Sequence, residues 1–141
     1  MLTIKKLAPA LGAEIGGVDV AAALNGATIA AIRAAWLEHL VLRIRGQSLT
    51  DPQLLEFSRC FGDLDPPGPN PYGKPFLPRH PEMNVISYIK EGGAPIGNLG
   101  DGEAIWHADM PYLDNTTKAR PLFSIEHPPQ GGLPFWASMY L

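Results

Sequence analysis

Residues Trp106-His107-Ala108-Asp109-Met110-Pro111-Tyr112 decide how the rest of this sequence is read. On an extended backbone, side chains at i and i+2 project to the same face. His107 and Asp109 can thus bring an imidazole nitrogen and a carboxylate oxygen to one point. Two His and one carboxylate, with coordination positions left open, form the ligand set of non-heme Fe(II) oxygenases. The heptapeptide supplies two of those three ligands. A bare His-x-Asp is weak by itself, because the same pair in a turn makes ordinary hydrogen bonds. Its surroundings sharpen it. A Gly-rich loop, 91–103, leads in and apolar segments follow, the order expected at the mouth of a β-barrel, where ligand sites collect.

Downstream, Pro121–His127 (PLFSIEH) and Leu133–Leu141 (LPFWASMYL) read as strands joined by a Pro-Pro-Gln-Gly-Gly turn. Upstream, Asn84–Ile89 (NVISYI) reads as another. Residues 65–81 hold seven prolines and are expected to be an extended surface loop. Near the start, Leu2–Leu7 and Gly12–Val20 are short strands. Gly16-Gly17 marks a bulge or a close backbone approach. Thr28–Leu40 has helical spacing through Ile29, Ile32, Trp36, Leu37 and Leu40, with Arg33 and Glu38 off the stripe. Val41–Arg45 alternates apolar and basic residues, as a strand with one wet face does. Pro52–Phe61 is a second helix, with Leu54, Leu55, Phe57, Ser58 and Phe61 on its buried side. Either Thr50 caps it with Gln53 as partner, or Asp51 does with Pro52 in the first turn.

Bulk properties narrow the class. A chain of 141 residues, 45% hydrophobic, suits a single domain, 1–141, with a core of its own. A net charge of −3 argues against nucleic acid as a partner. The 15 glycines and 15 prolines are spread along the chain and point to a turn-rich β fold. Cys60 is the only cysteine, so no internal disulfide can form, and its apolar helical setting marks a packed thiol. Neither a signal peptide nor a membrane-length apolar run is evident, so a cytoplasmic protein is the expectation.

The order of segments resembles the taurine dioxygenase family of Fe(II)- and 2-oxoglutarate-dependent dioxygenases. The matching pieces are GAEIGGVDV, the helix leading into VLRIRGQSLT, then LLEFSRCFGDL, IGNLGDGEAIWHADMPY and ARPLFSIEHPPQGG, covering almost the whole chain. The resemblance implies a mainly β (α+β) fold, an incomplete double-stranded β-helix or jelly-roll with two flanking helices near the N-terminus. It implies that His107 and Asp109 ligate iron, that 2-oxoglutarate chelates the metal, and that its oxidative decarboxylation by O2 drives hydroxylation of a small organic substrate. Trp106 shields the metal, orients His107 or is a core aromatic. Tyr112 and Asp114 are candidate partners of the ligands. Tyr72, Trp106 and Tyr112 are the candidate substrate-facing residues.

Departures from the pattern matter equally. The family's distal His and its 2-oxoglutarate-gripping Arg lie well downstream of His-x-Asp. After Asp109 this sequence offers only His127 and Arg120, and neither matches those positions. His127 is expected at the surface. Where the family commonly has Asp-Thr after the Gly-Gly turn, Leu133-Pro134 stands, without a hydroxyl or an N–H at the proline. Tyr72 is only a loose counterpart of the taurine-contacting residues, so taurine is not the expected substrate. The apolar ending WASMYL suggests a truncated member, or a surface covered by another chain, with self-association as one outcome. Three functions follow: a dioxygenase portion with little turnover alone, a non-catalytic interaction or oligomerisation module of the same fold, and a cupin-like protein that binds metal without 2-oxoglutarate.

Overall fold

A computed structural model describes residues 1–65, 75–97, 105–111, 114–131 and 134–140. The chain divides into two compact units, Met1–Gly62 with Leu122–Leu141, and Asp63–Pro121.

The first unit is built on a three-stranded sheet in the order β1 (Thr3–Lys6), β2 (Ala13–Gly16), β3 (Leu42–Ile44). β1 runs antiparallel to β2, with Thr3 opposite Gly16 and Lys6 opposite Ala13. β3 runs parallel to β2, with Ala13 opposite Leu42 and Ile15 opposite Ile44. A parallel neighbour requires a crossover, and helix α1 (Gly26–His39) provides it. Alternation along β2 then separates two environments. Ala13 and Ile15 are buried. Glu14, on the opposite face, pairs with its register partner Arg43 at 2.7 Å and with Arg45 at 3.2 Å. The paired glycines take the close-approach role. Gly17 has φ +71, and a Cβ there would collide with the Met1 carbonyl oxygen, while a Cβ on Gly16 would lie 2.7 Å from Thr3 Oγ1.

Asn25 opens α1, its Oδ1 accepting from the Thr28 N–H at 2.9 Å. The buried face is Ile32, Ala35 and His39, at spacings of three and four. Leu37, expected on that stripe, is 67% exposed. At about 100° per residue it sits about 200° around the axis from Ala35, away from the sheet. The helix ends in a γ-turn at Leu40, where φ is 65° and the Val41 N–H donates to the His39 carbonyl at 2.7 Å.

Helix α2 (Asp51–Arg59) settles the two capping alternatives in favour of Thr50. The Thr50 N–H and hydroxyl both donate to Gln53 Oε1, at 2.9 and 2.8 Å, and Gln53 Nε2 donates to the Ala21 carbonyl at 3.3 Å. Leu55 is buried, and Leu54, Phe57, Ser58 and Phe61 are half-buried, as their spacing predicts. Arg33, off the apolar stripe of α1, finds its role here. It donates to the carbonyl of Phe61 at 3.0 Å and of Cys60 at 3.5 Å, and stacks 5.8 Å from the Phe61 ring centre. Cys60 is half-buried, with its thiol donating to the Glu56 carbonyl at 3.4 Å. Two helices thus lie near the N-terminus beside a small sheet, α1 packing on β2 and β3 and α2 tied to α1 through Arg33.

The expected strands 84–89, 121–127 and 133–141 are not strands among the described residues. Alternation supplies a face but not a neighbour, and a strand's N–H and C=O groups need one. Ile86, Tyr88, Leu122, Ile125, Phe135 and Trp136 are accordingly exposed. In the second unit the Gly-rich loop contributes pairing instead. β4 (Lys90–Glu91) and β5 (Ala94–Pro95) form a hairpin turned by Gly92-Gly93, with φ of 57° and 85°. The Ile96 N–H extends it by donating to the Ile89 carbonyl at 3.1 Å. The Thr117 hydroxyl, donating to Asp65 Oδ2 at 2.8 Å, ties the two ends of this unit together.

Candidate metal centre

Ile105–Ala108 is neither helix nor strand, and the chain bends at Asp109-Met110. Met110 takes a left-handed φ of 56°, a conformation a side chain other than Asn or Asp seldom adopts.

His107 and Asp109 come together. Nε2 of the imidazole lies 3.4 Å from Asp109 Oδ1. The other ring nitrogen, Nδ1, lies 2.7 Å from the Ile105 carbonyl oxygen. A carbonyl can only accept, so Nδ1 carries the proton of this contact, and in the neutral ring Nε2 is left with a lone pair. Metal-binding His residues are commonly oriented this way, by a backbone carbonyl on the nitrogen that does not bind the ion. Two donors each about 2.1 Å from a first-row dication stand about 3.0 Å apart at a right angle and about 3.4 Å apart at a tetrahedral one. The observed separation fits one ion shared by Nε2 and Oδ1.

A residue the sequence reading left without a role joins them. Arg120 Nε lies 3.3 Å from Asp109 Oδ2. Among the described residues it is therefore Arg120, and not Asp114, that contacts the Asp109 carboxylate. Nothing periodic links positions 109 and 120, so only the tertiary arrangement could reveal the pair. The site is open: the His107, Asp109 and Arg120 side chains are 74%, 44% and 35% exposed. Trp106 is 70% exposed, so it is not a core aromatic. His127 is exposed as expected, with Nδ1 3.2 Å from the Pro128 carbonyl oxygen. Tyr72 and Tyr112 lie outside the described residues. Among the described residues, no group of three His, Cys, Asp or Glu side chains gathers around one point. Among the described residues, the donor set that fits an ion thus has two members, His107 and Asp109.

Residues 3–141 match the family model for the taurine catabolism dioxygenase TauD, TfdA family. The chain belongs to this family. Among its curated relatives is an alpha-ketoglutarate-dependent sulfate ester dioxygenase from Pseudomonas putida, 31% identical over 97% of this chain and 42% of the relative. Another is an alkylsulfatase from Acinetobacter baylyi, 30% identical over 97% of this chain and 39% of the relative. The chain spans about two fifths of the length of these relatives. A taurine dioxygenase from Burkholderia xenovorans is similar in structure over 44% of this chain and 23% of its own, at 40% identity and a TM-score of 0.43. The structure of AAD-2 with Mn(II) and N-oxalylglycine matches over 46% of this chain and 24% of its own, at 23% identity and a TM-score of 0.45. Dioxygenases of the TauD, TfdA family use Fe(II) and 2-oxoglutarate. No helix among the described residues is long and apolar enough to cross a membrane.

Proposed function

We propose that this chain carries part of an Fe(II)- and 2-oxoglutarate-dependent dioxygenase domain of jelly-roll type, acting on a small organic substrate other than taurine. His107 and Asp109 are two of the three iron ligands. The observation that carries this reading is the pairing of Nε2 with Oδ1 at 3.4 Å while Nδ1 is held by the Ile105 carbonyl. When bound, the iron and 2-oxoglutarate supply the oxidising chemistry with O2. The chain's own residues present donors. Ile105 holds the proton of His107 on Nδ1 and so keeps Nε2 available, and Asp109 contributes the negative charge that a hard dication prefers. Trp106, beside the ligands in sequence and exposed, offers an aromatic face for substrate.

Two donors bind a dication far more weakly than three, so the 141-residue chain alone gives little or no turnover. That same limitation favours a second reading, a non-catalytic module of this fold that retains the metal-binding pair. The two are separated by titrating Co(II) calorimetrically and by following 2-oxoglutarate decarboxylation with Fe(II), O2 and ascorbate. We expect weak Co(II) binding that Asp109→Asn and His107→Ala each reduce by tenfold or more, strengthened by 2-oxoglutarate. Binding that ignores both substitutions overturns the ligand assignment. Co(II) binding indifferent to 2-oxoglutarate favours the module, and robust decarboxylation by the isolated chain overturns the expectation of incompleteness.

A further inference from the structure

Arg120 and His107 approach different oxygens of the Asp109 carboxylate. Arg120 Nε is 3.3 Å from Oδ2, while Oδ1 is the atom 3.4 Å from His107 Nε2. A carboxylate on a two-bond stem turns freely about its last torsion, which is broad and roughly two-fold. Left alone it would exchange its oxygens or offer both to an ion. A guanidinium on one oxygen removes that freedom. The planar head of Arg suits this better than a Lys ammonium, which has no fixed direction of approach.

We propose that Arg120 is a positioning residue: it pins Oδ2 of Asp109 so that the carboxylate presents Oδ1 alone, beside His107 Nε2, as a one-oxygen ligand. The inference rests on the assignment of His107 and Asp109 as metal ligands and extends it to the residue that orients one of them. Arg120 does not touch the ion in this scheme. Its charge works in the opposite direction, since a cation near the site repels a dication and draws electron density from the carboxylate. Orientation and charge therefore predict changes of opposite sign when Arg120 is removed, and the sign decides between them.

The experiment uses the full 141-residue chain, with Co(II) alone as the probe, in four forms: the natural sequence, Arg120→Ala, Arg120→Lys and Asp109→Asn. Calorimetry reads affinity and visible absorption reads the coordination of Co(II). Partners that orient a ligand are typically worth 10–100-fold in metal affinity. Because this pair is half-exposed, about tenfold weaker binding is expected for Arg120→Ala. An altered Co(II) absorption band should accompany it as the second oxygen becomes available. Arg120→Lys should recover less than half of the loss. Far-ultraviolet circular dichroism on each form verifies that the fold is kept. Unchanged or tighter binding in Arg120→Ala, with Asp109→Asn still weakening it tenfold or more, overturns the positioning role and leaves the ligand assignment standing. Unchanged binding in Asp109→Asn overturns the ligand assignment itself.

Discussion

The sheet-and-helix part of the first unit and the metal-binding segment of the second are held by different physics. Between Ala13 and Leu55, apolar side chains do the work: Ala13, Ile15, Val20, Ile32, Ala35 and Leu55 are buried. Around His107, Asp109 and Arg120 the contacts are polar and open to water, a backbone carbonyl on an imidazole, an imidazole beside a carboxylate, a carboxylate beside a guanidinium. Burial stabilises in proportion to area and tolerates imprecision, at roughly 25 cal/mol per Å². Exposed ion pairs contribute about 0–1 kcal/mol and depend on geometry. The first region thus makes a folded body, and the second makes a chemical arrangement that adds little to stability.

The largest break in this contrast is expected at Ile32. Ile32→Ala leaves a cavity in the core and should cost about 2–5 kcal/mol, read as a lowered denaturant midpoint. Trp106→Ala, removing a larger but exposed side chain, should change that midpoint by less than about 0.5 kcal/mol. Equal losses would mean that the metal-binding segment is packed as tightly as the sheet. A smaller effect is expected at the α2 cap. Gln53→Ala strands the Thr50 N–H and frees the Ala21 carbonyl, and should cost about 0.5–1.5 kcal/mol, measurable by thermal melting. The smallest concerns Glu14. Hydrogen bonding from Arg43, reinforced by Arg45, holds its carboxyl below the ordinary value of 4.5. A lowered folded-state value means that this stabilisation is present above the ordinary carboxylate range and is lost as pH falls through the lowered value. The stability gap between the natural sequence and Glu14→Gln should therefore shrink on acidification. A gap that widened would remove the Arg43 pairing as its cause.

Legibility followed the range of the interactions. The strand–helix–strand order of residues 2–45, an α2 cap at Thr50 or Asp51 and a bulge or close approach at Gly16-Gly17 are local matters of periodicity, capping and backbone freedom. They came out within a few residues of their observed bounds. Leu37 went astray because it lies about 200° around the axis from Ala35, off a face that buries Ile32, Ala35 and His39 and half-buries Ile29 and Trp36. The segments 84–89 and 121–127 went astray for a different reason. Apolar alternation identifies a residue fit for a sheet but cannot supply the neighbouring strand. Arg33 capping α2 and Arg120 contacting Asp109 were invisible because both join residues far apart in the chain, and a lone Arg carries no pattern.

By itself, then, the sequence determined family membership, the two helices and the identity of the paired imidazole and carboxylate, since each rests on residue type and short spacing. Only the tertiary structure decided which ring nitrogen of His107 is left available, which oxygen of Asp109 meets it, and that Arg120 occupies the other. These are choices of torsion and of long-range proximity. Every one is compatible with the same string of residues until the chain has folded around it.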